Sequence, residues 1–402
     1  MISVEQALTE ILSRLPDRQT LVCPLADSLG CVLAQDIQSD IDSPPYDKSL
    51  VDGYAVVASD IQAEVELSVL EEIMAGQVPT QRVRSGTAIQ IMTGAPLPEG
   101  ADAVVMIENT TCQNHTVVIH KASLKPETNV MRKSTSLSQG DTILKAGTRI
   151  RPIEMGILAE VGCTDVPVYR QPELAVISTG DELVPATTRP APGQIRNSNG
   201  PLLTALGTTF GAATRSLGIG LDDFDSLSEL VAEGLKSDVL VLSGGVSAGV
   251  KDLVPGVLAH HNVEQVFHKV RLKPGKPLWF GLVKQRAQTT LVFGLPGNPV
   301  SSLVCFLLFV APVLQQLLGV KSDVLPSCKA QLTEAFQQRG DRPTYFPASL
   351  TMRDGTSEVT PLNWKGSADQ STLSQANGLA FFPAGEQLYA EGSEVTVFKF
   401  PS

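Results

Sequence analysis

The sequence of 402 residues is short of several features that mark particular classes of protein. Aromatic residues make up 5% of it, and acidic residues outnumber basic ones to give a formal charge of -11. Nucleic-acid-binding domains need a basic face or stripe, so this composition argues against a nucleic-acid partner. The six cysteines include no C-x-x-C pair, which argues against a zinc site and a disulfide framework. We therefore expect a chain that works in a reducing cytoplasm.

The sequence also lacks a clear membrane signal. The N-terminal stretch MISVEQALTEILSRL has no basic start, and its apolar residues recur at the spacing of an amphipathic helix. The most apolar stretch, residues 300–320, contains Pro312 and two glutamines and is short for a membrane span. We expect a buried helix there and no membrane partner.

Two phosphate-binding motifs are missing as well. The sequence contains neither G-x-x-x-x-G-K-[ST] nor G-x-G-x-x-G, so nothing supports a P-loop nucleotidase or a nicotinamide dehydrogenase. The five histidines include no H-E-x-x-H pair, and we interpret them as structural or surface residues.

The sequence does contain the patterns of several domains, since a chain of 402 residues is too long to fold around one ordinary core. Short β-like pieces separated by Gly, Pro and Asn turns run from about residue 47 to 121. A helix signal, RPIEMGILAEVG, follows and would sit well beside the N-terminal helix. This pattern predicts a small mixed N-terminal domain made of residues 1–25 and 141–170, with an all-β domain of residues 26–140 inserted into it.

The predicted pattern of strands and helices changes twice in the second half of the chain. Apolar strands alternate with helical patterns over residues 171–322, which indicates a doubly wound α/β domain with a parallel sheet. Residues 323–402 return to β pieces and predict a C-terminal β-barrel. The fold class expected is therefore multidomain α/β plus β.

Four strands of the α/β region end in polar, glycine-rich turns, STGDEL, GIGLDD, SGGVSAGVKD and LPGNPVSS. Parallel strands point one way, so these turns should gather along one edge, where open α/β sheets bind ligands. Glycines let backbone N–H groups approach an anion, although each turn alone is also an ordinary strand-to-helix connection. The candidate binding residues in these turns are Ser178, Thr179, Gly180, Asp181, Ser243, Gly244, Gly245, Ser247, Gly249, Gly297 and Asn298.

Charged residues lie beside the same turns. The stretch KVRLKPGKPLWFG holds Lys273 and Lys276 next to a glycine turn, which suits a polyanion but is also typical of a solvated hairpin. Carboxylates among phosphates usually share a divalent cation, most simply Mg²⁺, whereas helix capping is the alternative for Asp222, Asp223 and Asp252. The candidate carboxylates are Asp181, Glu182, Asp222 and Asp252.

Six segments, taken in order, resemble the signature segments of molybdopterin molybdenumtransferases, the family that includes the C-terminal domain of gephyrin. They are SLVDGYAV, IMTGAPLPEGADAVV, ISTGDEL, VLSGGVSAGVKD, LKPGKPLWFG and LPGNPVSS. The resemblance covers nearly all of the chain. It implies an elongated four-domain subunit in which the α/β region binds molybdopterin, and a homodimer whose active sites are shared between subunits.

The resemblance also implies a reaction and its partners. The family takes adenylylated molybdopterin and molybdate, inserts molybdenum between the two dithiolene sulfurs, and releases AMP with the help of Mg²⁺. A molybdopterin adenylyltransferase would act upstream, and apo-molybdoenzymes would receive the product.

Residue roles follow from the same resemblance. Catalytic roles carry over to Asp52, Thr93, Glu182, Asp222 and Asp252, the last three of which would also hold the metal. Other family roles concern substrate binding: Lys273 and Lys276 would clamp anions, Pro296, Pro299 and Ser301 would shape the last turn and its helix start, and Arg342 would come from the C-terminal domain.

One segment departs from the family pattern. NVMRKSTSL has Thr135 and Ser136 where the family usually shows an acidic pair, and Lys48 stands where Asn is usual. If the acidic pair helps to position molybdate or the metal, its loss favours a second reading of the chain. In that reading the chain is a catalytically weakened paralogue that acts as a molybdopterin-binding or scaffold protein.

Overall fold

The computed structural model of the chain describes residues 1–246, 253–285, 288–320 and 325–401. Small sheets come first along the chain, a mixed sheet between helices comes next, and a closed barrel comes last. This is the multidomain α/β plus β class that the sequence predicts.

The first 170 residues hold mostly short strands. Six strands within residues 53–119 form one sheet with the order β7-β4-β6-β5-β9-β8, in the region predicted to be an inserted all-β domain. Short pairs, β1 with β12 and β2 with β11, join segments that are distant in sequence. The elements are α1 Val4–Leu12, β1 Thr20–Pro24, β2 Ile37–Gln38, β3 Lys48–Ser49, β4 Gly53–Val56, β5 Val65–Ile73, β6 Thr87–Ile91, β7 Ala103–Met106, β8 Thr110–Gln113, β9 Thr116–Ile119, β10 Val130–Met131, β11 Thr142–Leu144, α2 Pro152–Glu160 and β12 Asp165–Tyr169.

Helix α1 is the amphipathic helix predicted for the N-terminus. It starts with a capping box, in which the Ser3 hydroxyl accepts from the N–H of Gln6 at 3.1 Å and the Gln6 side chain accepts from the N–H of Ser3 at 2.9 Å. Its buried residues Val4, Ala7 and Ile11 belong to the core of the α/β region. Burial of this apolar stripe attaches the N-terminus to the mixed sheet.

Helix α2 lies in a different core. Its Leu158 packs with Val166 and Val168 of β12, whereas α1 packs against the long helix of the α/β region. The two helices therefore contribute to different cores, because the apolar stripe of α1 is already covered by the α/β region. The predicted domain boundaries stay predictions.

The mixed sheet has the order β16-β13-β17-β20-β19-β18. Strands β13, β16, β17 and β20 are parallel, and β18 and β19 run antiparallel at one edge. The elements are β13 Glu173–Thr179, β14 Leu183–Val184, β15 Ile195–Arg196, α3 Asn199–Thr209, β16 Ala213–Gly220, α4 Phe224–Gly234, β17 Val239–Ser243, α5 Val254–His260, β18 Glu264–His268, β19 Trp279–Lys284, β20 Thr289–Leu295, α6 Pro299–Cys305 and α7 Ala311–Leu317.

Side chains alternate between the two faces of this sheet because successive residues of a strand point to opposite sides. In β17, Val239 and Val241 pack with α3 and α6, whereas Leu240 and Leu242 pack with α4 and α5. Apolar side chains on both faces explain why the strands read as unbroken hydrophobic runs. The doubly wound arrangement is confirmed.

The long apolar helix spans Pro299–Leu317 and is continuous through a π-helical turn at Phe306–Val310. Pro312 lacks the N–H needed for regular helical bonding, and the wider turn precedes it. The helix is long and apolar enough to cross a membrane, but 83% of its most apolar window is buried inside the protein. It is the buried core helix that the sequence predicts.

The C-terminal region is built on a closed barrel with the strand order β21-β24-β23-β25-β27. Ala348, Val359, Phe382 and Val397 fill its interior, which confirms the predicted barrel. The elements are β21 Ser327–Leu332, β22 Phe336–Gln338, β23 Thr344–Arg353, β24 Thr356–Pro361, α8 Gln370–Leu373, β25 Gly378–Phe382, β26 Gln387–Tyr389 and β27 Glu394–Lys399.

The attachment of α1 can be tested by shortening its most buried side chain. Ile11 is 0% exposed, so Ile11→Ala should lower the free energy of unfolding of the α/β region by about 2 to 4 kcal/mol. Thr9→Ala on the exposed face should change it by less than about 0.5 kcal/mol. Urea unfolding followed by Trp279 fluorescence in a Trp364→Phe background measures both. Equal effects of the two substitutions would show that α1 is not part of this core.

Candidate functional site

The carboxyl ends of the parallel strands form one edge of the mixed sheet. The register pairs Ser178 with Ser243 and Ser243 with Leu295, and it pairs Thr179 with Gly220. The glycine-rich turns that follow these strands therefore start side by side. Their predicted convergence along one edge is observed.

A cavity of about 650 Å³ opens between these turns. It receives predicted site residues from each of the four turns. They are Ser178, Thr179, Gly180, Glu182, Asp222, Ser243, Gly244, Gly245, Pro296, Gly297, Asn298 and Pro299.

The remaining predicted residues of the four turns are either outside the described part of the chain or described but not in the lining of the cavity. Ser247, Gly249 and Asp252 fall outside the residues that the structure describes. Ser301 is buried at the start of α6, and Asp181 accepts a hydrogen bond from the N–H of Asp222 at 2.9 Å.

Glycine is required where the third turn, SGGVSAGVKD, leaves β17. Gly244 and Gly245 have φ angles of +101° and +65°, which side chains rarely adopt. A Cβ on Gly244 would also lie 2.6 Å from the carbonyl oxygen of Thr179. The chain can bend this closely against β13 only without side chains at these positions.

Side chains behind the turns hold their carbonyl groups. The Asn199 amide donates to the Gly297 carbonyl at 2.7 Å, and His268 Nε2 lies 2.9 Å from the Val246 carbonyl. The Ser302 hydroxyl donates to the Pro296 carbonyl. Because the Pro296 and Gly297 oxygens are engaged inside the protein, the N–H groups on the opposite side of these two peptides, those of Gly297 and Asn298, are left for the cavity.

The N–H groups of the turns divide into two kinds. Gly244 donates to the Leu295 carbonyl at 3.0 Å, and Gly180 donates to the Gly220 carbonyl at 3.1 Å, so both extend the sheet. Within the described ranges, the N–H groups of Gly245 and Gly297 have no acceptor. Gly245 and Gly297 are among the turn donors that an anion in the cavity can use, as is Asn298, whose N–H also has no acceptor among the described residues.

The adjacent acids Asp222 and Asp223 have different roles. Asp223 caps α4 by accepting from the N–H of Ser226 at 2.9 Å, which is the capping alternative considered for it. Asp222 lines the cavity together with Glu182. In the part of the chain that is described, no three His, Cys, Asp or Glu side chains lie close enough to hold a metal by themselves.

The basic segment between β18 and β19 is attached to the barrel. Lys273 donates its N–H to the Pro343 carbonyl at 2.9 Å and accepts from the N–H of Tyr345 at 2.8 Å. The Arg342 guanidinium donates to the Leu272 carbonyl at 2.9 Å. Lys273, Lys276 and Arg342 are outside the cavity lining, but Pro277 is within it, so the basic segment forms its margin.

Asp52 and Thr93 lie together beside the six-stranded sheet of residues 53–119, Asp52 just before β4 and Thr93 just after β6. The backbone N–H and the hydroxyl of Thr93 both donate to Asp52 Oδ1, each at 2.7 Å. These two hydrogen bonds, chiefly the one from the backbone N–H and then the one from the hydroxyl, lower the pKa of the Asp52 carboxyl below its usual value. The described residues that line the cavity come from residues 178–370, so this pair is not brought to the cavity of its own chain.

The segment that departs from the family pattern folds against residues 42–47. Ser134 has a φ of +63°, and the Thr135 hydroxyl donates to the Arg132 carbonyl at 2.5 Å. Hydrogen bonds, chiefly from the N–H of Gln139 and then from Lys133, lower the pKa of Asp42 to about 2. The hydroxyl groups of Ser134 and Thr135 are thus engaged within a loop in which Lys133 and Asp42 already form an ion pair.

Several lining residues were missed from sequence, among them Asn197, Ser198, Asn199 and Gln370. The polar run NSN just before an apolar helical pattern is typical of a helix start, and it was the available signal for the first three. Nothing local marks Gln370, which reaches the cavity from α8.

A second cleft of about 820 Å³ lies at the opposite edge of the sheet. It brings no predicted site residue together, and its central charges are already paired, since Arg170 donates to both oxygens of Asp238 at 2.6 and 2.8 Å. The chemistry of the turns therefore points to the smaller cavity.

The hydrogen bonds of Asp52 predict the effect of a substitution at its partner. Thr93→Val keeps the backbone donor and removes the hydroxyl, so the pKa of Asp52 should rise part of the way towards its usual value. Because the folded-state pKa is lowered, the interaction stabilises the fold above the unfolded pKa and is lost as pH falls through the folded one.

NMR titration of the Asp52 carboxyl carbon measures this pKa. Thr110→Val is a matched control, because the Thr110 hydroxyl donates to the Ile107 carbonyl and to no carboxylate. An Asp52 pKa equal in the wild type and in Thr93→Val would contradict the role of the hydroxyl.

Family models match three consecutive parts of the chain. Residues 2–162 match the MoeA N-terminal region (domain I and II), residues 175–316 match a probable molybdopterin binding domain, and residues 329–400 match the MoeA C-terminal region (domain IV).

Similar proteins cover the whole chain. Molybdopterin molybdenumtransferases of Staphylococcus aureus (strain MSSA476) and Staphylococcus epidermidis (strain ATCC 12228) are each 33% identical, over 98% of this chain and 95% of theirs. Two crystal structures of molybdopterin biosynthesis MoeA proteins from Pyrococcus horikoshii cover 100% of both chains, with TM-scores of 0.86 and 0.83 at 33% and 27% identity.

Proposed function

The chain belongs to the molybdopterin molybdenumtransferase family and is a transferase of molybdenum-cofactor biosynthesis, and from this premise we propose the reaction that it carries out. It takes adenylylated molybdopterin and molybdate, inserts molybdenum between the two dithiolene sulfurs, and releases AMP with the help of Mg²⁺. The observation that carries this proposal is the cavity of about 650 Å³ at the carboxyl edge of the sheet.

The cavity suits a substrate that carries a phosphoanhydride. Gly245 and Gly297 offer backbone donors, which bind phosphate oxygens without adding charge of their own. Lys273 and Lys276 stand at the margin on flexible side chains and would clamp the anion when it binds. The remaining turn residues would contact the pterin and the adenylyl group.

The carboxylates of the site fit Mg²⁺. This ion is usually held by one or two carboxylates together with substrate phosphates, and Glu182 and Asp222 line the same cavity. Asp252 would be the third acid. A bound Mg²⁺ would neutralise charge on the phosphates as AMP leaves.

Asp52 and Thr93 would complete the site of a partner subunit. The pair is preorganised by two hydrogen bonds, yet it is away from the cavity of its own chain. A homodimer with shared active sites would bring it to the second cavity. There its carboxylate would act on the molybdopterin end of the substrate.

The chemistry of substrate and product places this step between two others. A molybdopterin adenylyltransferase would supply the adenylylated pterin, and apo-molybdoenzymes would take up the finished cofactor. We place all three in the cytoplasm.

The proposal predicts different effects for two neighbouring acids. Asp222→Asn removes a charged ligand, so the Mg²⁺ concentration for half-maximal AMP release should rise by about tenfold or more. Asp223→Asn should change it by less than about twofold, because Asn caps a helix as well as Asp does.

AMP release from adenylylated molybdopterin, measured over a range of Mg²⁺ concentrations, compares these two variants. Activation of a cofactor-free molybdoenzyme in the same mixture shows that molybdenum has been inserted. Substrate binding by the wild type without either product would refute the transferase mechanism proposed here.

A second candidate function is a weakened paralogue that binds molybdopterin or acts as a scaffold. The observation in its favour is that Thr135 and Ser136 replace the usual acidic pair and that Thr135 bonds within its own loop. In this reading the turns and the cavity would be kept for binding, while molybdate would be poorly positioned.

Restoring the acids separates the two candidates. The double variant Thr135→Glu, Ser136→Asp should raise the rate of AMP release at limiting molybdate by about tenfold if positioning is what was lost. Ser123→Asp, an exposed change in the same region, controls for added negative charge. An unchanged rate would show that the loop does not limit molybdate use.

A further inference from the structure

Asn199 connects two turns that come from different strands. It begins α3, it is 8% exposed, and no sequence motif singled it out. Its side-chain amide nitrogen donates to the Ser243 hydroxyl and to the Gly297 carbonyl, each at 2.7 Å. Ser243 ends β17, and Gly297 follows β20.

The chemistry of the amide fixes its orientation. The Gly297 carbonyl can only accept, so the NH₂ side of Asn199 must face it. An amide nitrogen carries two hydrogens, and each has an acceptor in a different turn. The group thus acts as a bridge between two turns that are not bonded to each other at these atoms.

The bridge lies where the sheet can no longer hold the turns together. The register pairs Ser243 with Leu295, and the last bond of this kind runs from the N–H of Gly244 to the Leu295 carbonyl at 3.0 Å. Beyond Leu295 the chain leaves the sheet towards α6. From that point Asn199 maintains the spacing between the two turns.

We propose that Asn199 is a positioning residue for the transferase reaction, through the distance that it sets between the N–H groups of Gly245 and Gly297. The inference rests on the proposed function, because the ligand of these donors is the adenylylated pterin. Without the bridge the two N–H groups are still present, but the distance between them is no longer fixed. The substrate then has to order the turns as it binds, which weakens binding more than the later chemical step.

Two substitutions and one control test this role. Asn199→Ala removes the amide, and Asn199→Asp keeps its shape but loses the NH₂ donors. Gln315→Ala is the matched control, because the Gln315 amide also donates to a buried carbonyl, that of Phe210 just beyond the far end of α3, at 2.7 Å. Thermal unfolding of all three variants shows the loss of stability that is common to them.

The measurement is the KM for adenylylated molybdopterin and the kcat of AMP release. Both Asn199 variants should raise KM by about tenfold, while kcat changes by less than about threefold. Gln315→Ala should leave KM within about twofold of the wild-type value, even if it lowers the melting temperature as much as the Asn199 variants do.

The other outcomes distinguish a failure of the positioning role from a failure of the proposed function. If the wild type turns over and the Asn199 variants behave like Gln315→Ala, the positioning role is wrong and the proposed function stands. A wild-type KM in Asn199→Asp would mean that shape, not hydrogen bonding, matters, which also overturns the inference. If the wild type releases no AMP, the proposed function falls, and the inference falls with it.

Discussion

Hydrogen bonds behind the glycine turns decide which backbone groups face the cavity. Asn199, His268 and Ser302 each engage a turn carbonyl from inside the protein. A peptide whose oxygen is held inward presents its N–H outward. The Pro296 carbonyl shares a peptide with the N–H of Gly297, and the Gly297 carbonyl shares one with the N–H of Asn298. In the proposed function the site would bind anions through these backbone donors, in a chain whose net charge of -11 would otherwise repel them.

The same principle makes the site depend on parts that are distant in sequence. The parallel register brings the turns together, and the barrel then fixes the basic segment through the backbone bonds of Lys273. Asn298 is tied to Ser367 beside α8 by a side-chain bond of 2.9 Å. The cavity is thus formed by the mixed sheet together with the C-terminal region. Asp52 and Thr93 lie apart from it, beside the six-stranded sheet of residues 53–119.

Much of this architecture could be predicted because it depends on local patterns. Alternating strands and helices predicted the sheet, and the ends of its strands predicted which turns would meet. The NSN run marks Asn199 as part of a helix start but does not give its role, which arises from contact with Ser243 and Gly297, 44 and 98 positions away. Similarly, only the structure distinguishes Asp222 at the cavity from Asp223 at the helix cap. The core that α1 joins could not be predicted either, because pattern shows which stripe is apolar but not what covers it.

In the proposed function the N–H groups of Gly245 and Gly297 bind the phosphates of the substrate. This can be observed at the two N–H groups themselves. The most direct measurement is the amide ¹H and ¹⁵N chemical shifts of the isotope-labelled protein as adenylylated molybdopterin is added. The account predicts large downfield shifts at Gly245 and Gly297, and small shifts at Gly180 and Gly244, whose N–H groups are already bonded. Saturable binding that leaves Gly245 and Gly297 unshifted would contradict it.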